Sequence, residues 1–258
     1  MLDRIADRMT SRASALHASL ESGSDRLFQA WLLIAGLGSA VRVALTPAWA
    51  ATHGVMPVVA PYVLLVLAPF ASAVLALRWL SDNYAHPQPS LRLARVGRWR
   101  NIPADTARSH RLYGAGGIMV SLLIGIILNV PVRAAEYFVS MPPVAGAVPA
   151  WLAVLHFAMT FDVVIFTSLY AVAFVAALRL SPIFPRLLAG IWVADIAMQL
   201  VTARMVVAAG HVPPQIAGAL HGLLYGNVEK VLISICVWLP YLLLSKRVNV
   251  TYRHRVPV

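Results

Sequence analysis

Six apolar runs, 27–48, 58–80, 113–134, 150–178, 187–209 and 217–244, take up most of this 258-residue chain and decide what it can fold into. A helix that crosses a bilayer needs about 20 consecutive, mainly apolar residues, and every run reaches that length. In hydrocarbon each backbone N–H and C=O must bond within its own segment, so runs of this kind are helices and not open strands. Charged residues are 12% of the chain, about half of the ~25% usual in soluble domains, and mean hydropathy is +0.75. The expected fold class is therefore all-α: a polytopic membrane helical bundle with six transmembrane helices. The expected organisation is a cytoplasmic tail at 1–26, a two-span hairpin at 27–80, a basic cytoplasmic loop at 81–112 and a four-span membrane domain at 113–253. In the tail, Leu2, Ile5, Met9, Leu16 and Leu20 recur near helical spacing between charged residues, the pattern of a helix lying in the interface.

The distribution of cations orients the bundle. Seventeen of the 21 Lys and Arg residues fall in the N-terminal tail, the 78–111 stretch, the connection at 179–186 and the C-terminal tail. The intervening loops near 49–57, 135–149 and 210–216 have none. Cations are retained on the cytoplasmic side, so both termini are expected there, with bacterial inner membrane as the location. The net charge of +11 then points to anionic lipid headgroups as partners and away from nucleic acid. The first run is longer than the 7–15-residue core of a signal peptide and is expected to stay as an uncleaved span.

Ionisable groups inside a span are expensive and are functional suspects by default. Asp162, Asp195, Glu229 and Lys230 fall at similar depth in the last three runs, and Gln199 shares a helix face with Asp195 at i, i+4. One polar layer of three carboxylates, an ammonium and an amide is the expectation: a proton or cation site, with polar glue between helices as the competing reading. A second set, Arg42, Asn129, Arg133, His156, Arg204, His211 and His221, is expected toward the outer face. Arg42 and Arg204 are its candidate anion site. The histidines show no i, i+3 or i, i+4 pairing with each other or with Glu, and the single cysteine, Cys236, makes no metal site, so no metal or cofactor is expected.

The last run ends in Trp238, Pro240, Tyr241, Ser245, Arg247, Val248, Thr251 and Tyr252. In that spacing they resemble the ending of a bacterial integral-membrane group, domain-of-unknown-function family 2569. Gly116-Gly117 through Pro131 and Arg133, and Phe184-Pro185-Arg186 after Tyr170, are similar to the same family, over roughly residues 113–253. The resemblance implies a four-span membrane domain and no catalytic residues.

The expected function is transport of a small solute, with a proton or cation site in the membrane layer. The first alternative is a non-catalytic membrane scaffold, assembly factor or regulatory partner, acting on another protein or on a second copy. The weaker alternative is a membrane-embedded enzyme acting on lipid-type substrates, for which the chain offers no nucleophile–base pair or metal triad at one depth.

Overall fold

The computed structural model describes residues 23–46, 54–80, 87–91, 93–94, 96–144 and 146–258. The interfacial helix expected within residues 1–20, and Arg92 and Arg95 of the basic loop, lie outside the described residues. Among the described residues six helices are long and apolar enough to cross a membrane. They are α1 (Ser24–Ala44), α2 (Val55–Trp79), α4 (Ile118–Ser140), α5 (Ala150–Leu178), α6 (Phe184–Ala208) and α7 (Pro214–Leu244). Two short helices, α3 (Ala104–Arg108) and α8 (Lys246–Arg253), and two three-residue strands, β1 (Trp99–Asn101) and β2 (Arg255–Pro257), complete the described elements.

The bundle is built around α5. Its 29 residues contain neither glycine nor proline, so nothing breaks the i to i−4 ladder. Its second half buries Ala171, Ala173, Ala176 and Ala177. Small side chains let neighbouring backbones approach closely, the main source of packing energy between helices in lipid. Ala73 and Ala76 of α2 meet Ala171 and Val175 in one such cluster. Helices α2, α4 and α6 all pack along α5, α1 lies against α2 and α4, and α7 leans on α6. Burial follows this order: 67% of the apolar window of α5 is buried inside the protein but 11% of that of α7. The α5 ladder stops at Leu180, which takes a left-handed φ of 52°, and Pro185 starts α6 from its first turn.

One helix departs from its apolar run. The run ends at 134, because a hydropathy reading treats Arg133 and Glu136 as a boundary. The helix α4 continues to Ser140. Arg133 is therefore the sixteenth of 23 residues in α4, well inside the helix.

Candidate functional site: a charged centre between the spans

Arg133 reaches from α4 to two other helices at once. Its Nη1 donates to Asp162 Oδ2 of α5 at 2.7 Å, and its Nη2 donates to Asp195 Oδ2 of α6 at 2.5 Å. The planar guanidinium presents its donors in a rigid fork, which allows one side chain to hold two carboxylates apart at fixed spacing. Phe166 of α5 lies under the guanidinium, 5.0 Å from ring centroid to Cζ. Gln199, one turn after Asp195, donates Nε2–H to Asp162 Oδ1 at 2.9 Å, and Asn227 of α7 donates to Gln199 Oε1 at 3.4 Å. The side chains of Asp162, Asp195 and Arg133 are 4%, 0% and 14% exposed.

Two features make this more than a salt bridge. The centre holds one guanidinium and two carboxylates, so with all three ionised it carries a formal charge of −1. In addition, Asp195 Oδ1 is buried and has no hydrogen-bond partner among the described residues, although the Tyr170 hydroxyl stands beside this carboxylate. Two small cavities flank Arg133. One, of about 60 Å³, is lined by Asn129, Glu136, Tyr170, Asn227, Lys230 and Arg133 itself. The other, of about 20 Å³, touches Tyr137, Asp162, Glu136, Asn227 and Arg133. Each has room for at least one water molecule, and Asn129 Oδ1, a buried acceptor without a partner among the described residues, belongs to the lining of the larger.

Of the five residues expected in one layer, three come together: Asp162, Asp195 and Gln199. Lys230 does not neutralise either aspartate; it pairs with Glu136 of α4 at the more open edge of the larger cavity. Glu229 is exposed. The buried residues of α7 are Leu224, Val231 and Leu242, and at about 100° per residue Glu229 points nearly opposite to them. The cation that holds the layer is Arg133, a residue that the sequence places in the outer-face set. The signal for it was the position of its charge in a helix that outlasts its apolar run. Arg42 donates Nη2–H to the Met141 carbonyl at 2.8 Å, and Arg204 is exposed on α6. Among the described residues no three His, Cys, Asp or Glu side chains cluster as metal ligands.

The C-terminal motif serves a second, separate region. Ser245 ends α7 and caps α8, accepting from Val248 N–H at 3.4 Å. Thr251 Oγ1 accepts from Gly114 N–H at 3.0 Å, and Arg247 Nη1 donates to the carbonyls of Leu112 and Gly114, both at 3.4 Å. A Cβ on Gly116 would stand 3.2 Å from that Nη1, and Gly117 starts α4 from a φ of 65°. Tyr252 packs on Phe184, with ring centroids 5.0 Å apart, and its hydroxyl donates to the Ala177 carbonyl at 2.9 Å. Arg186 Nε donates to the Leu91 carbonyl at 2.5 Å, and Arg253 Nη2 donates to the carbonyls of Leu93 and Ala94. Strand β2 then pairs antiparallel with β1, Arg100 opposite Val256. Three stretches far apart in the chain, around Gly116, Phe184 and Ser245, thus lock one end of the bundle. Trp238 and Tyr241 stand edge to face just before this clasp, on the α7 turns that contain Pro240.

No family model, curated protein or solved structure matches this chain.

Proposed function

We propose that this chain is a multi-pass protein of the bacterial inner membrane with both termini in the cytoplasm, that it belongs with family 2569, and that it moves a small solute coupled to one proton or one small monovalent cation. The observation that carries the coupling site is the two-to-one ratio of carboxylates to guanidinium in a buried centre. An excess charge of −1 in a low-dielectric interior attracts a proton or cation strongly. Uptake neutralises the centre, and release restores the charge, so loaded and unloaded states differ in electrostatics without large rearrangement of α5. The flanking cavities supply a hydrated approach. The orientation is supported by the arginine count, since the clasp gathers the cation-rich loops at one end. The family reading is supported by the convergence of the three motif stretches on that clasp.

The test uses the full chain in liposomes with an imposed pH or Na⁺ gradient, flux being read with an entrapped pH dye or with radiolabelled Na⁺. Asp162→Asn and Asp195→Asn are each expected to abolish the flux while leaving the protein folded. Flux unchanged in both variants sinks the proposal. A non-catalytic scaffold role draws on a different observation, the arginine-rich clasp, which presents a basic layer suited to anionic lipid or an acidic partner. Loss of function on disrupting the clasp, with wild-type flux retained, is the outcome that favours it.

A further inference from the structure

The outward face of α7 has a composition that does not suit lipid. Glu229 is the sixteenth of the 31 residues in this helix, at its midpoint. With a rise of about 1.5 Å per residue, roughly 22 Å of helix lies on either side. A carboxylate there is at the deepest level of a core about 30 Å thick. Among the described residues Glu229 makes no hydrogen bond or ion pair, and a charge in that position facing acyl chains is strongly disfavoured. At about 100° per residue, Gly218, Gly222, Gly226, Glu229 and Ile233 lie within about 40° of the line through Gly222. A Cβ at any of the three glycines would meet nothing within 4 Å. This face is thus smooth over two turns, so a second helix can approach closely, and it carries a buried-depth charge at the end of the smooth stretch.

We propose that a second copy of this chain packs against α7 about a two-fold axis along the membrane normal, with Glu229 of each copy paired to the partner's Lys230. Charge complementarity selects this occupant. Glu229 and Lys230 point about 100° apart, on opposite sides of the line through Gly222. A two-fold rotation brings the left side of one helix against the right side of the other at equal depth, so Glu229 faces the partner's Lys230, and the reverse pair forms by symmetry. Lys230 is 59% exposed and has three donors, so it can retain Glu136 and add a second carboxylate. A closed dimer of this kind leaves neither Glu229 unpaired in hydrocarbon. The inference goes beyond the transport reading and stands on α7 alone.

The experiment uses the full chain in native membranes with Cys236→Ser as background. Gly222→Cys places a thiol in open space on the proposed contact line, and Leu224→Cys places one on the packed face. Mild oxidation is expected to give a disulfide-linked dimer from position 222 and none from 224. In liposomes, single-molecule photobleaching of a label beyond Val258 is expected to show two steps for the wild type. Glu229→Lys, which sets a lysine against the partner's Lys230, is expected to weaken dimerisation at least 10-fold. One-step bleaching of the wild type, equal crosslinking at 222 and 224, undiminished dimers of Glu229→Lys, or crosslinking of position 222 to a different protein would each overturn the proposal.

Discussion

The charged centre and the C-terminal clasp both depend on buried or half-buried arginines, and they use them in opposite ways. At the clasp, Arg186, Arg247 and Arg253 donate to backbone carbonyls of loop residues. A carbonyl does not titrate, so these contacts fix the chain in one arrangement. At the centre, Arg133 donates to two carboxylates. Carboxylates do titrate, and a two-to-one ratio leaves the site able to exist in two charge states. The same side chain therefore acts as a fastener at one end of the bundle and, at the centre, meets acceptors that can change charge. The difference lies in the acceptor.

Substitutions can break this comparison. The largest effect is expected from Arg133→Leu, which leaves two carboxylates buried without a cation. Loss of one member of a buried ion pair costs about 3–5 kcal/mol, read as a fall in the thermal unfolding midpoint in detergent. The double variant Asp162→Asn/Asp195→Asn strands the guanidinium and is expected to cost a similar amount, about 3–5 kcal/mol. At the clasp, Tyr252→Phe leaves the Ala177 carbonyl without its side-chain donor, and the expected loss is about 1–3 kcal/mol. It should also raise amide exchange in β2 without changing ion flux. Single neutralisation, Asp195→Asn, matches one carboxylate to one guanidinium. Its stability cost is expected to be about 1 kcal/mol or less, with the proposed flux expected to be lost. A large loss of stability in that single variant would mean that the centre is a fastener like the clasp.

The smallest effect concerns pH. His254, which follows α8 with a φ of 47°, is held below the usual histidine range by burial and then by the nearby Arg108. Its folded pKa lies below its unfolded one, so the folded state favours the neutral ring. The clasp is expected to have full stability above about pH 6.5, the unfolded value, and to lose it as pH falls through the folded pKa. Proteolysis of the C-terminal tail should therefore quicken at mildly acid pH, and His254→Gln should remove that dependence.

The spans were legible because hydrocarbon imposes one requirement, internal satisfaction of the backbone, which a run of apolar residues reveals by length alone. Asp162, Asp195 and Gln199 were legible as one layer because depth along a helix follows from residue count. Rotation about the helix axis was not legible in the same way. Glu229 and Lys230 have the right depth, but the buried side of α7 is the Leu224–Val231 side, and apolar residues on every side of this helix leave little periodic signal to show it. Arg133 was misplaced because its charge appeared to end the span that contains it.

By itself, then, the sequence determined the six long apolar helices of the described residues, the clustering of cations on alternate loops and the position of the costly side chains along each helix. Only the tertiary structure decided which of those side chains meet. Depth is a one-dimensional property fixed by rise per residue, whereas contact depends on the rotation of each helix and the choice of its neighbours. The packing of α4 and α6 along α5 brings Arg133 to two aspartates, and the packing of α7 on α6 turns Glu229 away.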